Sequence, residues 1–172
     1  KVIERVREVT PEVLIEVLTP DFKDEDGPIN TVIAARPDIF NHNLETVRSL
    51  TSKVRSVATY ERSLSVLSKV KKRAPEIYTK SGLMLGLGET KQELLEAMTD
   101  LRSVGCDLLT LGQYLQPTKK HLKIEEFIHP DQFTEYKRIA EAMGFSYVAS
   151  GPLVRSSYHA DDFVPEEFAS RS

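Results

Sequence analysis

Cysteine is almost absent: the 172-residue chain carries one, Cys106. A single thiol forms no internal disulfide. It builds no cysteine-rich zinc site and holds no iron–sulfur cluster by itself. The low count fits a reducing compartment. Long apolar runs are missing too, and none approaches the roughly 20 residues that span a bilayer. The opening residues, Lys1-Val2-Ile3-Glu4-Arg5, do not read as a signal peptide. Positive charge is not in excess either. Lys plus Arg is 23 against 26 Asp plus Glu, a net charge of -3, which argues against a general polyanion binder. What is present is a chain of one domain's length, 40% hydrophobic and 28% charged, able to bury a core.

The apolar spacing alternates between two periods. Val2, Ile3, Val6 and Val9 predict an opening helix that Pro11 stops. Val13 to Leu18 reads as a buried strand rich in branched residues. Asp24 to Asp26 is a charged loop, and Gly27-Pro28 opens a short helix over Ile29, Val32 and Ile33. Pro37 to Phe40 is a brief strand running into Asn41-His42-Asn43. Leu44, Val47, Leu50 and Val54 predict a helix, and Leu64, Leu67 and Val70 a second one. The second ends in Lys69, Lys71, Lys72 and Arg73, a basic run that suits the negative end of a helix dipole better than a nucleic-acid site.

Lys80 to Thr90 is a strand followed by a glycine loop. Thr90 with Glu93 makes a capping box for the helix of Leu94, Met98 and Leu101. Cys106 falls between that helix and the next strand, Asp107 to Leu111. It reads as a small buried residue, with a catalytic thiol the minor alternative because no His is near. Pro130 starts a helix with Phe133, Tyr136, Ile139, Ala140 and Met143 on one face, and Phe145 to Ala149 is a last strand. Strands alternating with helices indicate parallel β/α units. Four or five strands are too few for a closed eight-stranded barrel of roughly 250 residues. The chain is therefore a small open sheet or part of a larger barrel.

Polar residues cluster just after the strands: Asn41-His42-Asn43, Gly86 to Thr90, and Gln113-Tyr114 with Gln116. In parallel α/β folds those strand ends form the active face. Each cluster also has a plain reading. The asparagines fit turn and cap positions. His42 has no second metal ligand at a recognised spacing. Gly86-Leu87-Gly88 lacks the lysine of a phosphate-binding loop and fits a tight turn, although its glycines would let a ligand reach the backbone. Met84 and Leu85 fit the core. The run Arg155-Ser156-Ser157-Tyr158-His159 fits either a ligand cover or a hydrogen-bonded latch.

Four stretches in register carry a family resemblance. They are Asn41-His42-Asn43-Leu44-Glu45-Thr46, Lys80 to Thr90, Thr110 to Pro117, and Gly151 to Ala160. Together they resemble lipoyl synthase, a radical S-adenosylmethionine family. The resemblance implies insertion of two sulfurs at C6 and C8 of a protein-bound octanoyl group. It implies S-adenosylmethionine and two 4Fe–4S clusters, one radical-generating and one consumed as sulfur source. It implies octanoylated lipoyl carrier domains or glycine cleavage H protein as partners, and an electron donor such as flavodoxin or ferredoxin. Neither nucleic acid nor membrane is implied. A bacterial-type cytoplasmic location is expected, with mitochondrial or plastid settings as alternatives.

Both three-cysteine motifs of that family are absent here. The expectation is therefore the C-terminal half of a partial TIM-like (β/α)6 barrel over residues 1–150, about the last four strands. A tail follows over 151–172, and this piece alone is expected to be inactive. Asn41, Asn43, Lys80, Ser81, Met84, Gly86, Glu89, Gln113 and Tyr114 would line the S-adenosylmethionine or substrate cavity. Ser157, or alternatively Ser156, would ligate the auxiliary cluster, with Arg155 and Tyr158 positioning the tail. Two other readings stay open: a small α/β enzyme using His42 for metal-assisted or acid–base chemistry, and a non-catalytic module that binds a carrier protein.

Overall fold

A computed structural model describes residues 1–157. Five strands form one parallel sheet in strictly sequential order: β1 (Glu16–Leu18), β2 (Ile39–Asn41), β3 (Tyr78–Leu85), β4 (Leu108–Gln113) and β5 (Tyr147–Gly151). The helices are α1 (Val2–Val9), α2 (Asp26–Ala34), α3 (Thr51–Val54), α4 (Tyr60–Arg73), α5 (Lys91–Ser103) and α6 (Pro130–Ala142). Parallel crossovers are right-handed as a rule, so a sheet built in one direction gathers its helices on one face. This is an open α/β arrangement of consecutive β/α units, as the alternating periods predict. It holds five strands, within the four or five expected from the sequence.

Alternation along each strand separates two faces. Phe40, Leu83, Leu85, Leu109, Leu111 and Val148 point outward into the core made with α4, α5 and α6. Helix residues Leu67, Val70, Met98, Leu101, Phe133 and Ala140 meet them there, all buried. The opposite, inner face carries Asn41, Lys80, Gly82, Met84, Thr110 and Gly112. Register aligns these in layers: Asn41 with Lys80 and Leu108, Gly82 with Thr110 and Ala149, Met84 with Gly112 and Gly151.

The helix ends follow local chemistry. Thr90 and Glu93 form the expected reciprocal capping box on α5. On α6, the His129 ring accepts from the Asp131 N–H, with Pro130 in the first turn. Three expectations need correction. β1 is shorter than Val13–Leu18, because the Ile15 N–H bonds the Asp38 carboxylate at 2.7 Å and Arg7 reaches the Val13 carbonyl at 3.0 Å. The helix expected from Leu44 to Val54 is confined to Thr51–Val54, preceded by a 3-10 turn. Glu45 takes a left-handed φ of 71° and bridges to Leu83 of β3, so Leu44 and Val47 are buried from an extended path. The last strand runs two residues later than Phe145–Ala149. Phe145 instead packs beneath α6, its N–H on the Ala140 carbonyl at 3.4 Å.

Candidate functional site

A cleft of about 330 Å³ opens on the inner face at the C-terminal ends of the strands. Asn43, Glu45, Gly82, Met84, Thr110 and Gln113 line it, and Arg155 and Ser156 of the returning tail close one side. Gly82 keeps its floor low. A Cβ there would stand 2.7 Å from Thr110 Oγ1 and 3.0 Å from Asn43 Oδ1. Gly112 does the same for the tail, since a Cβ would meet the Val154 carbonyl oxygen at 2.2 Å. These are contacts that only glycine allows.

The side chains around the floor are unevenly satisfied. Asn43 Nδ2 donates to Ser156 Oγ at 3.2 Å. Its Oδ1 is buried with no hydrogen-bond partner among the described residues. Glu45 is half-buried beside it, and desolvation pushes its carboxyl above the ordinary range, only partly offset by the Asn43 amide and the Arg55 charge. Thus one acceptor at the cleft, Asn43 Oδ1, is left without a donor among the described residues, and it carries a desolvation cost that a ligand's donor would relieve.

One layer deeper on the same face is a buried ion pair. Lys80 Nζ lies 3.0 and 2.8 Å from the two oxygens of Glu16, and Asn41 Nδ2 donates to Glu16 Oε1 at 2.7 Å. Lys80 and Asn41 therefore brace the strands beneath the cleft and do not line it. Ser81 points to the other face, where its Oγ accepts from the Leu44 N–H at 3.0 Å.

The glycine loop after β3 folds onto itself. Glu89 accepts from the Gly86 N–H at 2.7 Å and the Leu87 N–H at 2.9 Å, so its carboxylate holds the loop and is turned away from the cleft. Gly86, at φ 93°, lets the β4–α6 loop pass close by, and its carbonyl accepts from the Glu125 N–H at 2.9 Å. Gln113 clips the same loop, donating to the Glu126 carbonyl at 3.0 Å and accepting from Ile128 N–H at 2.9 Å. Tyr114 donates to the Leu122 carbonyl at 2.9 Å.

Of the residues named from the sequence, Asn43, Met84, Gln113, Arg155 and Ser156 come together at the cleft. Asn41, Lys80, Ser81, Gly86, Glu89 and Tyr114 support its floor and walls from outside. Ser157 is exposed and does not line the cleft, whereas Ser156 does. Tyr158 lies outside the described residues. Glu45, Thr110 and Gly112 join the cleft without an individual role expected from the sequence. Their signal was present as small or polar residues at alternate strand positions, but it needs the β3–β4 register to be read.

The reading built on His42 as a ligand or proton carrier is corrected. Its ring nitrogens are both engaged, Nδ1 with the Thr19 carbonyl at 2.9 Å and Nε2 with Ser63 Oγ at 3.0 Å. Burial lowers its pKa. Among the described residues, no group of three or more His, Cys, Asp or Glu is placed to hold a metal ion. Cys106 sits at the opposite end of β4 from the cleft. It is fully buried, and its thiol is pushed up to about 12, first by desolvation and then by Asp107. No helix among the described residues is long and apolar enough to cross a membrane.

Comparison with known proteins finds relatives that match most of this chain. The lipoyl synthase of Halalkalibacterium halodurans is 56% identical over 164 residues, covering 95% of this chain and 54% of that protein. That of Caldicellulosiruptor saccharolyticus is 55% identical over 161 residues, covering 94% and 56%. Lipoyl synthase 2 of Gloeobacter violaceus is 57% identical over 162 residues, again 94% and 56%. The chain spans about half the length of the curated relatives it matches. A solved structure of the radical S-adenosylmethionine methyltransferase TsrM from Kitasatospora setae is 15% identical with a TM-score of 0.49, over 63% of this chain and 23% of that one. Residues 1–101, more than half of the sequence, match the Radical SAM superfamily, and the chain belongs to that superfamily.

Proposed function

We propose that the cleft binds S-adenosylmethionine, in a parent enzyme that inserts sulfur at C6 and C8 of a protein-bound octanoyl group. The observation that carries the reading is the unmatched buried acceptor Asn43 Oδ1, beside the half-buried Glu45 carboxyl and above a floor kept bare by Gly82. Such a site asks for a ligand with adjacent donors, and ribose hydroxyls or an amino group supply them. Once bound, and cleaved by one electron from an iron–sulfur cluster held by thiolates outside this chain, S-adenosylmethionine would supply a carbon radical able to take hydrogen from unactivated C–H bonds, which acid–base side chains cannot do.

The chain's own residues then have distinct tasks. Asn43 and Glu45 accept from the ligand's donors, and Asn43 also holds Ser156 against the cleft. Thr110 and Met84 shape the wall. The Glu16–Lys80 pair fixes the strands beneath. The described residues do not fit an iron–sulfur cluster by themselves. Their one thiol is buried at the wrong end of the sheet, and Ser156 is a single oxygen. The thiolates that a cluster requires would come from outside this chain, so the chain alone is expected to be inactive.

The test is S-adenosylmethionine affinity measured by calorimetry on the full-length protein. Asn43→Ala and Glu45→Gln should each weaken binding about tenfold, the effect of one lost charged or buried hydrogen bond. Gly82→Ala should weaken it at least as much. Wild-type affinity in all three variants overturns the assignment. Separately, reconstituting this chain alone with iron and sulfide should give no stable cluster absorption, and two clusters per chain would refute its dependence on outside thiolates.

A further inference from the structure

We propose that the loop joining β4 to α6 is the docking surface for an acidic protein domain that presents the acyl substrate on a tether. This inference rests on the functional reading above and names the surface that delivers its substrate. The loop runs over residues 114–129 and starts at the mouth of the cleft, where Leu115 is part of the lining. It is held in place by several clips. Gln113 bonds both Glu126 and Ile128, Gly86 accepts from Glu125, Tyr114 reaches the Leu122 carbonyl, and Gln116 reaches the His121 carbonyl at 2.8 Å. A loop fastened at so many points presents its outer side chains without much ordering cost on binding.

Those side chains are of two kinds. Lys119, Lys120 and Lys123 are exposed, and none has an ion-pair partner among the described residues. The acids of the same loop, Glu125 and Glu126, come after them, in the stretch that is clipped back to Gly86. Exposed apolar residues accompany the lysines: Leu115 at 48%, Leu122 at 37% and Phe127 at 71%. Exposed apolar side chains suit contact with a partner, and the lysines of the same loop add positive potential that selects an acidic one. Three exposed lysines without an ion-pair partner among the described residues attract an acidic partner to this loop. The partner's acyl arm then enters beside Leu115.

The experiment measures binding of the full-length protein to a labelled, octanoylated carrier domain of net negative charge, by fluorescence anisotropy. The triple variant K119E/K120E/K123E should bind about tenfold more weakly at low salt, with S-adenosylmethionine affinity and melting temperature unchanged. Raising ionic strength from about 0.02 to about 0.3 M should weaken the wild type and leave the variant almost unaffected. Phe127→Ala should also weaken binding, while leaving the salt dependence in place. Binding by the triple variant within about twofold of wild type overturns the docking surface. So does an equal loss of affinity for an RNA of the same charge, which marks a general polyanion patch. A wild type that binds no octanoylated carrier at any salt overturns the substrate reading itself, whatever the loop variants do.

Discussion

The two faces of the sheet are made from the same strands and have opposite character. On the outer face Leu83, Leu85, Leu109 and Leu111 are almost wholly excluded from water by the helices. On the inner face, their immediate neighbours are Lys80, Gly82, Met84, Thr110 and Gly112. The outer face gains from volume, since every methylene there is packed. The inner face is shaped by missing volume at Gly82 and Gly112 and by a buried acceptor, Asn43 Oδ1, without a partner among the described residues. A strand two residues long in its repeat can therefore carry stability and function side by side.

The largest effect should come from breaking the inner face where it is structural. Lys80→Met leaves the Glu16 carboxylate buried without its cation, and should destabilise the protein by about 4 kcal/mol in urea unfolding. The paired change Glu16→Leu with Lys80→Met should recover most of that loss, because two desolvated charges are replaced by apolar volume. A small cost for the single variant, or a double variant worse than either single, would mean that water reaches the pair freely.

Next in size is a direct contrast between adjacent residues. Leu109→Ala removes a fully buried side chain from the outer core and should cost about 3 kcal/mol. Thr110→Ala, one residue on, loses only a long 3.5 Å contact to the Ser81 carbonyl and should cost below about 1 kcal/mol. Ligand affinity should rank them the other way, with Thr110→Ala weaker and Leu109→Ala near wild type at temperatures where both are folded. Equal unfolding costs would erase the distinction between the faces.

Much of this arrangement was legible without coordinates. The alternation of periods marked the β/α units, Thr90 and Glu93 marked the start of α5, and polar runs marked the strand ends. What was not legible depended on pairing. Leu44 and Val47 are three apart, as on a helix, yet Glu45 bridges β3 with a left-handed φ and buries both from an extended chain. Lys80 and Ser81 look equally polar in sequence. Only the pleat decides that Lys80 faces Glu16 on the inner side and Ser81 the Leu44 N–H on the other. Thr110 and Gly112 join the cleft because register sets them beside Gly82 and Met84. Likewise, single-residue chemistry left His42 open as a ligand, and its two hydrogen bonds close that question.

The smallest effect is a pH dependence, and it separates the faces again. His42 turns toward α4, where burial keeps its ring neutral and its pKa below the ordinary 6.5. In the unfolded chain it protonates at the ordinary value. Its contribution is therefore complete above that value and is lost as pH falls from it toward the lower folded pKa. Glu45, in the cleft, has the opposite sign: burial raises its pKa above 4.5, so its stabilising contribution is present below that value and lost as pH rises through the raised one. In melting curves between pH 7 and pH 5, His42→Gln should lose less stability on acidification than the wild type. Glu45→Gln should lose more, because it lacks the carboxyl whose protonation favours the folded state. Parallel curves for all three proteins would show that neither group changes its environment on folding, and a reversed order would place the charged histidine, not the neutral one, in the native core.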